Sequence, residues 1–174
     1  AAPRAQLLRE VAAVYEHGTS DLKHAFEALA AACQIDPSDD HAAVGLERLA
    51  AAPGAWSDLI AEASSVATEV RDPIVASKWW GRMGLWYGQR LDRHDYAAPS
   101  LRRAIELDAR NTDAHNALAE QLRRQSKWAE LADALRAHIA IEPDAGARVD
   151  LLLSLGDLAE TQLAATAKAI EAYQ

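Results

Sequence analysis

The sequence contains little of what interrupts helices, cross-links a chain or crosses a membrane. Its 174 residues include only six prolines, eight glycines and one cysteine, Cys33, so an internal disulfide is excluded. No apolar run approaches the roughly 18 to 20 residues that span a bilayer. Acidic residues outnumber basic residues by 26 to 18, and the resulting net charge of -8 argues against nucleic acid as a general partner.

The motifs that mark catalysis are also missing. The sequence has no H-E-x-x-H zinc motif, no glycine-rich phosphate loop and no G-x-S-x-G nucleophile turn. Asp39, Asp40 and His41 follow Pro37, and we interpret them as the start of a helix, where acids act as caps, rather than as metal ligands. Cys33 is interpreted as a small buried residue rather than a nucleophile. We therefore expect no catalytic, cofactor-binding or metal-binding residues, and no enzyme activity.

The residues that are abundant favour helices. Hydrophobic residues make up 50% of the chain, and alanine, the strongest helix former, is the most frequent residue. Apolar residues recur at intervals of three and four almost throughout, and no stretch keeps the two-residue alternation of a strand. Clusters of Asp, Ser, Asn, Pro and Gly interrupt this pattern at regular distances. The sequence therefore predicts an all-α protein with about ten helices of roughly 10 to 18 residues.

One short pattern returns along the chain. Its clearest copy reads W-x-x-M-G-x-x-Y and then A-x-x-x-L, at Trp80, Met83, Gly84, Tyr87, Ala97 and Leu101. Weaker copies begin at Leu8, His115 and Leu152. The pattern resembles the tetratricopeptide repeat (TPR), in which a small residue lets the two helices of a pair cross closely. The pair over residues 38–72 lacks that small residue, and we expect it to be splayed or rotated.

The copies also suggest a larger period. When the sequence is shifted by 72 residues, several landmarks coincide, among them Tyr15 with Tyr87 and Trp56 with Trp128. This predicts a double repeat of two helix pairs. The TPR resemblance implies a right-handed α-solenoid of about five antiparallel helix pairs in a single domain over residues 1–174. The predicted repeat units are 1–37, 38–72, 73–109, 110–144 and 145–174, and we expect the segment to belong to a longer array.

The tryptophan-rich stretch KWWGRMGLWYGQRL, residues 78–91, has two interpretations. At helical spacing, Trp80 and Gly84 share the face that meets the second helix of the same pair. Trp79 and Trp86 share a neighbouring face, which in a stack would lie against the preceding pair. We interpret the stretch as a helix with two buried faces, while a binding role for Trp79 or Trp86 stays open.

The resemblance implies a function as well as a fold. TPR proteins hold peptides or partner helices on the concave face formed by their first helices, so we expect a non-catalytic protein interaction scaffold. Basic side chains lie in the first half of that face and acidic ones in the second, which predicts a polarised groove or merely scattered surface charges. The alternative is a helical accessory or sensor segment of a larger enzyme. The candidate peptide-binding residues are Arg9, His41, Arg48, Lys78, Asn116, Glu120 and Asp157.

The two ends of the chain carry apolar residues at helical spacing. Near the carboxyl end these are Ala169, Ile170 and Tyr173, and the first helix would present a similar edge. If nothing covers these edges, identical chains should associate through them at high concentration. The TPR resemblance thus implies another protein or peptide as the partner, and the apolar ends add self-association as a further expectation. The sequence indicates no cofactor, and it gives no indication of a compartment.

Overall fold

The computed structural model describes residues 2–51 and 54–163, and in these residues it contains α-helices and no strand. This confirms the prediction of an all-α protein. Two helices continue into short π-helical turns, Tyr15–Thr19 after the first and Ala159–Leu163 after the last. The described helices are α1 (Ala2–Val14), α2 (Leu22–Ile35), α3 (Asp40–Ala50), α4 (Trp56–Glu69), α5 (Pro73–Gln89), α6 (His94–Leu107), α7 (Thr112–Arg124), α8 (Trp128–Ile141) and α9 (Ala145–Leu158).

Side-chain caps explain why several helices begin where they do. The first turn of a helix has backbone N–H groups without intrahelical partners, and an Asp or Asn oxygen accepts from one of them. Asp39 accepts from the Ala42 amide at 3.1 Å, which confirms its interpretation as a helix cap. The same geometry occurs at Asp21, Asn111 and Asp144.

The chain divides into two compact units, Ala1–Trp79 and Trp80–Gln174. The boundary between them falls within the sequence of α5. The first unit holds α1 to α4, in which α1 packs on α2, α2 on α3 and α3 on α4. The second holds α6 to α9, in which each helix packs on the next. The single domain, its five repeat units and the 72-residue period stay predictions.

Small residues bring the helices of the first unit together. Ala25, Ala32 and Cys33 on α2 are buried, which confirms the structural interpretation of the cysteine. A Cβ added to Gly45 would lie 2.8 Å from Leu29 Cδ1, closer than side-chain carbons approach each other. Gly45 therefore allows α3 to pack directly on α2.

The second unit has a leucine-rich core around α7. Leu101, Leu118 and Leu122 are buried there, and Trp80 packs against this cluster from α5. A Cβ on Gly84 would lie only 2.5 Å from Leu101 Cγ and 3.2 Å from the Ala97 carbonyl oxygen. The close approach of α5 and α6 thus depends on this glycine, which confirms the role that the repeat pattern predicts for it.

The remaining tryptophans of α5 are also buried. Trp79 is 1% exposed, and its indole Nε1 donates a hydrogen bond to the Pro37 carbonyl oxygen at 2.8 Å. Pro37 lies at the corner between α2 and α3, so the hydrogen bond joins α5 to this corner. The contact of Trp79 and Trp86 with the preceding helix pair stays a prediction. Trp86 is 2% exposed. These two side chains are part of the core.

Candidate functional site

In the first unit, the candidate binding residues lie on α1, α3 and the start of α5. Arg9 on α1 reaches the cap of α3, with its Nε 2.9 Å from Asp39 Oδ2. Lys78 on α5 approaches Asp40, the first residue of α3, with its Nζ 3.8 Å from Asp40 Oδ2. The acidic start of α3 is therefore the place where two of the predicted basic side chains converge. His41 follows directly and is exposed.

Arg48 on α3 is paired with a carboxylate from the end of the first helix. Its guanidinium forms a two-pronged pair with the Glu16 carboxylate, in which Nη2 donates to Oε2 at 2.6 Å and Nη1 donates to Oε1. The hydrogen bonds from Arg48 lower the pKa of Glu16 below its ordinary value, and the same contact raises the pKa of Arg48. Glu16 belongs to the π-helical turn after α1, so the pair links the first and second helix pairs.

The charge of this surface is therefore largely balanced within the first unit. Arg9, Arg48 and Lys78 each lie beside a carboxylate from a neighbouring helix pair. The Lys78–Asp40 pair is exposed on both sides, and an exposed pair contributes about 0 to 1 kcal/mol, so a charged ligand can compete with it. Asp39 and Glu16 are largely covered in the other two pairs. The surface presents alternating charges rather than a purely basic field.

In the second unit, the predicted residues lie on α7 and α9. Asn116 and Glu120 are one turn apart on α7, and Asn116 is exposed. Glu120 accepts from Arg124 Nε at 2.9 Å and from Arg123 Nη1 at 3.2 Å, and these bonds, with Arg124 dominant, lower its pKa. The predicted acidic side chain is therefore also paired.

Asp157 on α9 lines a cleft of about 300 Å³ in the second unit. Arg123 and Trp128 line the same cleft from α7 and α8. The cleft thus combines a guanidinium, a carboxylate and an indole ring. The repeat pattern did not predict it, because Arg123 and Trp128 lie at a corner and not on the predicted face.

Two histidines form a buried pair that the sequence did not predict. The rings of His115 on α7 and His138 on α8 stack with centroids 4.9 Å apart and planes inclined by 18°. His115 Nε2 lies 3.1 Å from the Ala109 carbonyl oxygen, and His138 Nε2 lies 3.3 Å from Glu142 Oε2. Burial lowers the pKa of His115, the bond to Ala109 opposes this, and the nearby His138 lowers it further.

The lowered pKa of His115 predicts a stability that depends on pH. Above the ordinary histidine value of 6.5, His115 is neutral both folded and unfolded. Below it, the unfolded chain binds a proton that the folded chain does not, because the folded pKa is lowered. We expect the free energy of unfolding to fall with decreasing pH, by at most about 1.4 kcal/mol per pH unit for this proton, until the folded pKa is passed.

Urea unfolding followed by circular dichroism between about pH 7.5 and 5 measures this dependence. His115→Leu removes the titrating ring, so its curve should be flatter over the same range. His17→Gln is the matched control, because His17 is exposed. An equally steep curve for His115→Leu would contradict the assignment of the acid sensitivity to His115.

Over residues 2–51 and 54–163, no three His, Cys, Asp or Glu side chains are grouped to hold a metal ion. In the same part of the chain, no helix has the length and apolar character required to cross a bilayer.

Comparison with known proteins shows similarity in structure but not in sequence family. No protein family model matches the chain, and no curated protein matches its sequence. A crystal structure of the MamA protein is similar over 92% of this chain and 92% of that one, with a TM-score of 0.55 and 16% identity. A second MamA crystal structure matches 88% of this chain and 95% of that one, with a TM-score of 0.51 and 17% identity.

A third similar structure, the MamA RS-1 ArsTM double mutant, is 13% identical, with a TM-score of 0.52 over 91% of this chain and 96% of that one. MamA is a TPR-like helical protein. The chain has an all-α, TPR-like fold of the α-solenoid class. This agrees with the fold that the repeat pattern implied.

Proposed function

We propose that this protein is a non-catalytic interaction scaffold that binds a peptide or a partner helix on the first helices of its pairs. In the first unit the binding residues are Arg9, His41, Arg48 and Lys78. In the second unit they are Asn116, Glu120 and Asp157. The observation that carries the proposal is the TPR-like fold, because stacked helix pairs leave an extended surface with exposed side chains at helical spacing.

The chemistry of this surface supports a polypeptide partner. It alternates cationic and anionic side chains, with an exposed histidine and an exposed asparagine among them. Such side chains hydrogen-bond to backbone amides and to charges of both signs, as an extended peptide requires. Neither nucleic acid nor a cofactor is part of the proposal. An accessory role within a larger enzyme stays the alternative prediction.

Panning a displayed library of random peptides of about 16 residues against the protein tests the proposal. Peptides that bind the first unit should lose about fivefold in affinity on His41→Ala with Lys78→Ala, since truncating contact residues costs about 1 kcal/mol. Peptides that bind the second unit should lose a similar factor on Asn116→Ala with Asp157→Ala. Fluorescence anisotropy of a labelled peptide provides the measurement. These four side chains are solvent-accessible, so the truncations should leave the fold intact.

Arg103→Ala with Arg136→Ala is the control for nonspecific charge effects. Both arginines are exposed and lie on second helices, α6 and α8. The control should bind as the native protein does. If both double variants on the first helices also bound every enriched peptide with native affinity, the proposed location would be wrong.

Self-association stays a separate proposal. On α1, Leu7, Val11 and Val14 are 59%, 37% and 64% exposed, which leaves an apolar edge on this helix. The predicted counterparts Ala169, Ile170 and Tyr173 lie outside the described residues. The exposed edge supports an association of chains at high concentration but does not identify its second half.

A further inference from the structure

A different surface of the first unit lies on α2 and α4, the second helices of its two helix pairs. The binding residues proposed above for this unit lie instead on α1, α3 and α5. Between α2 and α4 the structure has an open groove of about 620 Å³. Its floor is apolar: Ala30 and Leu49 are 7% and 6% exposed, and Phe26, the only phenylalanine of the chain, lies half-buried beside them. Leu22 continues the apolar surface at the start of α2 and is 46% exposed. Leu22 and Phe26 therefore leave apolar surface accessible to solvent beside the buried floor of the groove.

The charged side chains that line the groove are mostly acidic. Glu27 stands on α2, and Asp58 and Glu62 stand one turn apart on α4, so that both walls carry carboxylates. Among the described lining residues the one cation is Lys23, whose Nζ lies 3.9 Å from Glu27 Oε1 and whose side chain is 82% exposed. Three carboxylates and one amine leave a net negative rim around an apolar floor. This combination complements an apolar ligand that carries positive charge on its flanks.

The predicted 72-residue register relates this groove to the helices α6 and α8 of the second unit. Arg102 on α6 forms an ion pair with Glu130 on α8, and a cavity of only about 190 Å³ is left beside it. Moving back by 72 residues from Arg102 and Glu130 gives Ala30 and Asp58. In the predicted 72-residue register, Ala30 thus corresponds to Arg102, which pairs with Glu130 at the surface of the second unit. Asp58 keeps the carboxylate of Glu130 in this register, whereas Ala30 has no cationic group in place of Arg102.

The dimensions of the groove suit a helix. Its lining on α2 runs from Leu22 to Gln34, about 18 Å at 1.5 Å per residue, or a little over three turns. At the far end Gln34 Nε2 donates to Glu62 Oε2 at 3.5 Å, so side chains of the two walls meet there. A length of three turns accommodates apolar anchors at positions i, i+3 or i+4, and i+7 of a bound helix.

We propose that the groove between α2 and α4 binds an amphipathic helix of a partner protein, with its apolar side on Phe26 and Ala30 and with Lys or Arg residues beside Glu27, Asp58 and Glu62. The bound helix supplies the cationic groups that Arg102 supplies within the second unit. This is a second binding surface, and it does not require that peptides bind the first helices.

The test uses a displayed library of random peptides of about 16 residues, panned in parallel against the native protein and against Ala30→Arg. The variant introduces the side chain found at the corresponding site of α6, which fills the groove and faces Asp58. Peptides enriched on the native protein but not on the variant should carry apolar residues at helical spacing and a net positive charge. By fluorescence anisotropy, Ala30→Arg should weaken such a peptide at least about tenfold.

A second variant keeps the apolar floor intact. Glu27→Gln with Asp58→Asn removes two rim charges, and it should weaken binding about three- to tenfold and flatten its dependence on salt. Ala137→Arg adds the same charge on an exposed position of α8 and should bind as the native protein does. Circular dichroism of each variant verifies its helical content.

Several results would overturn the proposal. Native affinity in both groove variants would place the binding elsewhere, and enrichment of acidic peptides would exclude the proposed chemistry. A dimer in sedimentation that Ala30→Arg abolishes would assign the groove to a second copy of this chain instead. Loss of binding in His41→Ala with Lys78→Ala, but not in the groove variants, would support the first-helix surface alone.

Discussion

Replacing Trp79 with alanine should lower the free energy of unfolding by about 3 to 5 kcal/mol, the usual cost of emptying a large aromatic site. Trp79 is 1% exposed, so nearly all of its ring is removed from water. The variant also leaves the Pro37 carbonyl oxygen without the indole N–H that it binds at 2.8 Å. Urea unfolding followed by far-UV circular dichroism measures the loss.

Trp79→Phe separates the two contributions. The phenyl ring keeps most of the apolar contact but cannot donate to Pro37, so we expect a loss of about 1 to 3 kcal/mol. A Trp79→Ala loss below about 1 kcal/mol would mean that the ring is not part of the core, and a binding role for Trp79 would gain support.

Gly84→Val should destabilise the protein by about 3 kcal/mol, at the upper end of what overpacking costs. The new Cβ would lie 2.5 Å from Leu101 Cγ and 3.2 Å from the Ala97 carbonyl oxygen, which belongs to the backbone of α6 and cannot rotate away. The helices α5 and α6 must therefore separate, and the contacts of Leu101 in the core are lost. Thermal and urea unfolding of the variant test this expectation.

Gly18→Ala is the matched control for a change at a helical glycine. The atom nearest to an added Cβ there is Val14 Cγ1 at 3.8 Å, an ordinary contact, and Gly18 is exposed. This variant should be neutral or stabilising by a few tenths of a kcal/mol, because alanine loses less backbone entropy on folding. Equal stabilities of Gly84→Val and the native protein would refute the close crossing of α5 and α6.

Local chemistry explains how much of the fold could be predicted. The three- and four-residue spacing of apolar side chains predicted the helices, and Asp and Asn clusters predicted where they begin, because both signals act within a few residues. Gly84 was identified because a small residue recurs at one position of the repeat. Gly45 was missed, since its role appears only in its contact with Leu29, 16 residues earlier in the chain.

For the candidate binding residues, the sequence predicted the helices on which they lie but not the side chains that they contact. Their place on first helices follows from the register of the repeat, which the sequence contains. Their partners do not, because Arg48 pairs with Glu16 and Arg9 with Asp39, residues that come together only when consecutive helix pairs stack. The stacking of His115 on His138 likewise joins two helices whose histidines share no motif.

The sequence by itself determined the all-α class, the helices with their caps and the small residue at the α5–α6 crossing, because each depends on neighbours within one or two turns. Only the tertiary structure decided which charges are balanced and which histidines are buried. It also revealed the open groove between α2 and α4. Contacts between helices far apart in the chain depend on side-chain reach and on the spacing of the helix axes, and neither is encoded in a local pattern.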